Sequence, residues 1–407
     1  MATSIDKLTK ILLILPPMPL DPDLMTRKLN EITIKMDDNW KIFALKGNLS
    51  KYFTDHLRLP CPSEFHPVSM FGSRKSPMSR ISYLLNCIVK GVRLVRKENI
   101  HVITQHDGHL EYGIVAYIVS RLTHRKCLIR VNEDTLIPLI FFLKSSDNFL
   151  FKSKTILKIV AFMYRRIEHI AFKHADWIIT HGPMDYQKIK QVTDRITFVP
   201  LWIDIGKFKR LDEKTVRNLR EKFTVTKDVK ILLFVGRLHP EKGVRTLFRA
   251  LKMIDDMRIL LLMVYSLAEY KEEYEMLAEH LKISNKIRFL SYVPHDELPK
   301  YYNIADLYVL PSIREEWSNT IMEAMACMTP VVATAVGGNP YLMVDGKSGF
   351  LVPTKDPLSL AQKIKFALEN PLLTKQMTEK AVSEIKVYKK DKIGELYKTV
   401  VENLINA

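Results

Sequence analysis

The sequence predicts an α/β chain of two domains, each built on a parallel sheet. Three observations carry this expectation. Short β-branched runs alternate with stretches of helical period along most of the chain. The length of 407 residues suits two domains better than one. The stretch PSIREEWSNTIMEAMACMTPVVATAVGG, Pro311 to Gly338, passes from a strand end through a turn and a short helix into a strand and paired glycines, the order found where ligands meet an open α/β sheet.

Ile11 to Leu15 is an apolar run of five residues followed by two prolines. A membrane span needs about 20 residues, so this run is expected to be a first buried strand and not a signal sequence or span. Asp21 and Asp23 flank Pro22, where turn chemistry explains an Asp-x-Asp pair better than a metal site does. A second strand is expected near Trp40 to Leu45, then a loop-rich region holding Pro60, Pro62 and Pro67. From Arg80 to Lys97, Ile81, Leu84, Leu85, Ile88, Val92 and Val95 recur at helical spacing, with Lys90, Arg93 and Lys97 on another face. IHVITQHDG, GIVAYIVSRL and KCLIRVNEDT then predict strand, helix and strand. His106, Asp107, Asn132 and Glu133 fall at those strand ends, where side chains project into the crevice of the sheet and where Asp and Asn equally cap helices.

Leu136 to Lys173 combines IPLIFFL and other large apolar residues with Lys144, Lys152, Lys154, Lys158, Arg165, Arg166 and Lys173, against only Asp147 and Glu168. A surface-lying amphipathic element explains both features, the alternative being a core helix with snorkelling lysines. ADWIITHG is the strand that closes the first half, and a boundary is expected around FVPLWIDIGKF. A charged helix from Glu213 to Phe223 opens the second half. KILLFVGRLHPEKGVRTLFRAL follows, with a strand ending at Gly236 and a helix beginning near Val244. RILLLMVYS, EEYEMLAEHL, KIRFLSYV, ELPKYYNIA and DLYVLPS continue the alternation. SLAQKIKFALEN and EKAVSEIKVYKKDKIGELYKTVVENLI end the chain as helices.

Composition and charge narrow the function classes. Hydrophobic residues are 47% of the chain, ample for two cores. Cys61, Cys87, Cys127 and Cys327 have neither metal-ligand spacing nor the density of a disulfide scaffold, so reduced thiols in a cytosolic protein are expected. The net charge of +17 divides into 30 basic against 18 acidic residues over 1–200 and 32 against 27 over 201–407. Such a surface suits an anionic membrane or a phosphorylated substrate. Nucleic acid is not expected as a partner, because no zinc-finger spacing, RNP-like strand or Gly-Arg tract accompanies the charge.

Within the 311–338 stretch, Glu315 precedes the helix and Glu323 lies inside it, eight positions apart, so both can face a ligand at the helix mouth. Thr320 and Glu323 also have the spacing of a capping box, and Glu316 reads equally as a solvated neighbour of Glu315. Gly236 at a strand end permits close backbone approach, and Arg237 and Lys242 on the following connection suit an anion such as a diphosphate. The connection is neither a Walker loop nor a dinucleotide G-x-G-x-x-G turn.

FVGRLHPEKG, FLSYVPHDELPKYYNIADLYVLPS, EEWSNTIMEAMACMTPVVAT and VGGNPYLMVDGKSGFLV, taken together and in this order, resemble the retaining glycosyltransferases of family 4 over residues 230–355. The resemblance implies a GT-B fold of two Rossmann-like domains facing across a central cleft. It implies an acceptor-side domain at 1–202, a domain binding a nucleotide diphosphate-sugar donor at 203–385, and a helix at 386–407 crossing back to the first domain. Glu315 matches the acid implied to contact the donor sugar, and Glu323 the acid implied to bind the ribose hydroxyls. Arg237 and Lys242 match the pair that holds the diphosphate as leaving group. Trp317, Ser318, Asn319 and Thr320 match the turn and helix entry that meet the donor, beside Gly236. Fixed cations and helix-terminus amides stabilise a departing diphosphate, so no metal or other cofactor is required by the implied chemistry.

The chain departs from the family in several places. PPMPLDP replaces the usual Gly-rich turn after the first strand, and Arg130, Val131, Asn132 and Glu133 stand where many members carry a histidine. LLMVYSLAEY lacks the common Gly-x-Gly, and Tyr341 stands where an acid often follows the paired glycines. His106, Asp107, Asn132 and Glu133 are the candidates left for the acceptor side. The expected enzyme transfers a hexose-type sugar to an acceptor hydroxyl on a lipid-linked or membrane-presented glycan, from the cytoplasm and in peripheral contact with the inner membrane face. The alternatives are a non-catalytic nucleotide-sugar-binding subunit of a glycan-assembly complex and, further off, a sugar-nucleotide epimerase.

Overall fold

The computed structural model describes residues 9–15, 40–47, 63–68, 77–105, 110–131, 153–222, 228–265 and 268–407. The chain divides into two compact units, Met1–Pro200 with Asp391–Ala407, and Leu201–Lys390.

The first unit holds a seven-stranded sheet in the order β3-β2-β1-β4-β5-β6-β7. Its strands are β1 Thr9–Ile14, β2 Trp40–Gly47, β3 Ser63–Val68, β4 Val102–Gln105, β5 Lys126–Val131, β6 Trp177–Thr180 and β7 Ile196–Phe198, and every pairing is parallel. Its helices are α1 Pro77–Glu98, α2 Leu110–Thr123, α3 Lys154–His174 and α4 Pro183–Lys190. Near-continuous apolar strands such as TKILLI belong to a parallel sheet covered on both faces. Leu12, Ile14, Phe43, Ile103, Ile129 and Ile178 form its core with Tyr83, Val115 and Phe172 from the helices. The Pro-rich region expected to be loop contributes β3 instead. Pro67 is tolerated because β3 is the edge strand, where a missing N–H removes no partner on the open side.

The second unit holds a six-stranded sheet in the order β10-β9-β8-β11-β12-β13, again all parallel. Its strands are β8 Lys230–Val235, β9 Ile259–Val264, β10 Ile287–Leu290, β11 Leu307–Leu310, β12 Val331–Thr334 and β13 Phe350–Val352. Its helices are α5 Glu213–Lys222, α6 Val244–Met253, α7 Lys271–His280, α8 Leu298–Ile304, α9 Asn319–Ala326, α10 Asn339–Leu342, α11 Pro357–Glu369 and α12 Pro371–Ile385. The last helix, α13 Lys390–Asn406, falls almost wholly in the first unit, where Tyr397 faces the Arg130 guanidinium at 5.8 Å.

The strand order reverses between β8 and β11, which lie side by side with Leu307 opposite Leu232. Connections leaving these two strands diverge to opposite faces and open a crevice at the carboxyl edge of the sheet. The residues named in the second half fall on those connections.

Candidate functional site

The site of the second unit is assembled from the connections after β8, β11 and β12. After β8, Gly236 and exposed Arg237 lead into a 3-10 turn, Pro240–Lys242. His239 caps this turn, and Gly243 ends it with φ at 67°. A Cβ on Gly243 would sit 1.8 Å from the Pro311 carbonyl oxygen, so only glycine lets the turn approach the end of β11 this closely. The Ile313 N–H donates to the Glu241 carbonyl at 2.7 Å and fastens the two connections together.

That fastening brings Lys242 to Glu315. The Lys242 ammonium donates to Glu315 Oε1 at 2.6 Å, and the Ser312 hydroxyl donates to the same oxygen at 2.7 Å. The Glu315 side chain is 9% exposed and that of Lys242 18%. In so dry a position the pair is held by charge-assisted hydrogen bonds and is costly to break from one side only. Arg237 makes no ion pair or hydrogen bond among the described residues. Its guanidinium is a free fork of donors at the mouth of the crevice.

From below, the third connection supports the Glu315 turn. Gly337 has φ at 55°, and a Cβ there would lie 1.4 Å from the Glu315 carbonyl oxygen. A Cβ on Gly338 would lie 2.4 Å from the Glu316 carbonyl oxygen. The paired glycines are thus a bed for the backbone of Glu315 and Glu316. Glu316 is half-buried and pairs with Arg314 at 3.4 Å, so it is not merely a solvated neighbour.

α9 starts at Ser318, whose hydroxyl accepts from the Ile321 N–H at 3.3 Å. The capping box that the Thr320 and Glu323 spacing offered as an alternative does not form. Ser318 is the cap, and Glu323 lies too far along the helix to return to its start. Trp317 is buried with its ring edge-on to Tyr388 at 5.3 Å. Asn319 and Thr320 are half-buried in the first turn, and the Thr320 hydroxyl lies 3.0 Å from that of Ser318.

Glu323 is 2% exposed and is held at both oxygens. The Tyr302 hydroxyl donates to Oε2 at 2.9 Å, and His295 Nε2 lies 2.9 Å from Oε1. Lys207 Nζ lies 2.8 Å from His295 Nδ1. An ammonium can only donate, so Nδ1 accepts, Nε2 carries the proton, and the neutral ring donates to Glu323. Lys207 also pairs with Asp296 and holds that carboxyl below its usual range. Burial, reinforced by Glu323, pushes the Tyr302 phenol well above its ordinary value, so it stays a donor.

Neither His295 nor Tyr302 was a candidate from the sequence, nor were Lys207 and Ser312. His295 in PHDELP and Tyr302 in ELPKYYNIA carry no spacing that points to Glu323, because the sheet alone brings them together. On the first unit, His106, Asp107, Asn132 and Glu133 lie outside the described residues, as do Asp21, Asp23 and the IPLIFFL segment. Arg130 is 1% exposed and its guanidinium lies 2.9 Å from His181 Nε2, at the end of the strand next to its own.

Residues 215–384 match the family model of glycosyl transferases group 1. The D-inositol 3-phosphate glycosyltransferase of Corynebacterium urealyticum is 34% identical over 213 residues, 49% of this chain and 50% of that protein. That of Corynebacterium jeikeium is 33% identical over 222 residues, 51% of this chain and 53% of that protein. The chain thus spans about half the length of these curated relatives. Among solved structures, sucrose-phosphate synthase from Thermosynechococcus elongatus superposes with a TM-score of 0.75 at 18% identity, covering 98% of this chain and 99% of that one. Anabaena HepE in complex with UDP-glucose superposes with a TM-score of 0.73 at 20% identity, covering 97% and 99%. The fold is GT-B, two Rossmann-like units, and the resemblance to family 4 rests on a glycosyl transferases group 1 domain in the second of them.

Proposed function

We propose that this chain, carrying a glycosyl transferases group 1 domain on a GT-B fold, is a retaining glycosyltransferase. It would move a sugar from a nucleotide diphosphate donor to an acceptor hydroxyl. The observation that carries this is the meeting of Lys242, Glu315 and the α9 entry where the second sheet reverses its strand order, with Arg237 unengaged beside them. Cations and an acid on adjacent connections match a donor with an anionic leaving group and a polyhydroxyl sugar.

In this reading Arg237 and Lys242 hold the diphosphate, Glu315 accepts hydroxyls of the sugar, and Glu323 accepts those of the ribose. The N–H groups of Trp317, Ser318, Asn319 and Thr320 and the backbone at Gly236 line the donor. The glycosidic bond to phosphate breaks as the acceptor oxygen bonds to the anomeric carbon on the same face. A phosphate oxygen takes the hydroxyl proton. Arg237 and Lys242 stabilise the charge that develops on the leaving group, so the step needs no metal. The likeness to HepE, solved with UDP-glucose, supports a nucleotide sugar as donor. The acceptor is proposed to be lipid-linked and presented at a membrane surface, reached from the cytoplasmic side, because the first unit carries the basic excess and an apolar, basic helix.

A panel of nucleotides and nucleotide sugars read by thermal shift identifies the donor, since a tight ligand stabilises the folded state. Glu315→Gln should then lower transfer roughly 100-fold at a temperature where the variant is fully folded, and it should also lower the melting temperature, because the Lys242 ammonium loses its acid. Donor binding without turnover in the wild type would favour the non-catalytic subunit, and conversion of the donor with no acceptor an epimerase.

A further inference from the structure

We propose that α1, α2 and α3 of the first unit form a face that docks on an anionic phospholipid bilayer, with α3 lying along the headgroup region. The purpose of such docking rests on the proposed transfer to a membrane-presented acceptor. Its geometry does not.

The three helices share one layer. Each crosses from one strand to the next in the same direction, β3 to β4, β4 to β5 and β5 to β6, which right-handed connections place on one face of the sheet. α2 packs between α1 and α3. A helix in such a layer normally turns one apolar stripe inward and a polar face outward. α3 departs from this by carrying two apolar stripes. Leu157, Tyr164, Ala171 and Phe172 are buried against the unit, whereas Ile159, Phe162, Met163, Ile167 and Ile170, at helical spacing, are 42% to 62% exposed. On α1, Ile81, Leu85 and Val89 repeat the pattern one turn apart, 49% to 57% exposed, and Leu122 at the end of α2 is 52% exposed.

The exposed charges on α3 beside its outer apolar stripe have one sign. Lys158, Arg166 and Lys173 are exposed on α3, with Arg166 over the Phe162 ring at 5.3 Å. The helix has a single acid, Glu168, which is 7% exposed and paired to Arg165 at 2.7 Å. Helices that return between parallel strands end at the amino edge of the sheet, so the basic ends of α1 and α3 share that edge. There a cleft of about 260 Å³ is lined by Ser120, Arg121, His124, Arg125, Lys126 and Asp176. Arg121 donates to the carbonyl of His174 and ties the cleft to the end of α3.

An apolar stripe flanked by cations, with no exposed acid on the helix, is the pattern of an interfacial helix. Among the described residues no helix is long and apolar enough to cross a membrane. A second copy of the chain is a poorer occupant. A two-fold contact would set Lys158, Arg166 and Lys173 against their own copies, and like charges opposed across an interface are repelled. An anionic bilayer takes up the apolar stripe and neutralises the same cations, each worth roughly a five-fold gain in partitioning.

The test is co-sedimentation of the full chain with phosphatidylcholine vesicles, with and without phosphatidylglycerol. Binding should require the anionic lipid and fall with salt. Lys158→Glu with Lys173→Glu should weaken it more than about 20-fold, and Phe162→Ser with Ile170→Ser more than about ten-fold. Both pairs are exposed, so melting and donor binding should stay as in the wild type. Absence of vesicle binding, binding that neither pair of substitutions weakens, or a dimer split by Phe162→Ser with Ile170→Ser in a chain that ignores lipid would each overturn the proposal. Donor turnover on a soluble acceptor without vesicle binding would overturn docking and leave the transferase. Vesicle binding weakened by both pairs, in a chain that never turns over a donor, would do the reverse.

Discussion

Gly337 and Gly346 offer a matched pair for testing whether the glycine bed positions the Glu315 turn. Both have positive φ, 55° and 70°, so alanine at either carries the left-handed penalty of about 1–2 kcal/mol. They differ in surroundings. A Cβ on Gly346 meets nothing within 4 Å, whereas one on Gly337 would lie 1.4 Å from the Glu315 carbonyl oxygen. Real Cβ contacts do not fall below 3.0 Å, so Gly337→Ala must displace the Glu315 backbone by about 1.6 Å, the difference between 3.0 and 1.4. That overpacking adds roughly 1–3 kcal/mol to the strain. A misplacement near 1 Å can cost about 100-fold where geometry matters. Gly346→Ala should therefore lower Tm by a few degrees and leave donor affinity unchanged within about two-fold. Gly337→Ala should lower Tm about twice as far and weaken donor binding by about 100-fold. Scanning fluorimetry and a donor titration read both effects. Equal losses in the two variants would refute the role given to the glycine bed.

Further outcomes follow from the buried groups. His295→Ala removes the N–H that faces Glu323 Oε1 at 2.9 Å, and leaving a buried acceptor short of a partner costs about 1–3 kcal/mol. Donor affinity should fall about ten-fold, with partial recovery in His295→Gln, whose amide can donate. If His295→Ala binds donor as the wild type does, Glu323 is not positioned through the imidazole. Cys87 and Cys127 are buried free thiols whose pKa values burial pushes up to about 12. In a Cys61→Ser background they should resist a thiol reagent at pH 8 until the chain unfolds. Because their folded pKa values are raised, the associated stability is complete below about 9 and lost as pH rises toward 12. Stability unchanged across that alkaline range would contradict the burial of these thiols.

The alternation of strands and helices was legible wherever a run was strongly periodic. β8, β9 and β11 and the helix near Val244 lie within a residue or two of their expected places. Ser63–Val68 was hidden because Pro67 reads as a loop signal, and only the edge position of the strand makes the proline harmless. The short elements Pro183–Lys190 and Ile196–Phe198 had too few residues to show a period.

The division is sharpest at the site. The sequence by itself determined which residues stand on the connections after the strands, because strand ends, glycines and helix entries are local signals. Gly236, Arg237, Lys242, Glu315 and Glu323 could be named on that basis, and Trp317 and Ser318 through the resemblance to family 4. Only the tertiary structure decided their partners. Lys242 meets Glu315 because β8 and β11 are neighbours in the sheet, although 73 residues separate them. His295 and Tyr302 meet Glu323 because α8 and α9 pack together. The paired glycines, which the sequence offered as a loop signal, serve in the structure as the surface on which the Glu315 backbone rests. Local propensity acts over a few residues, whereas a hydrogen bond between distant residues exists only once the sheet has fixed which connections lie side by side.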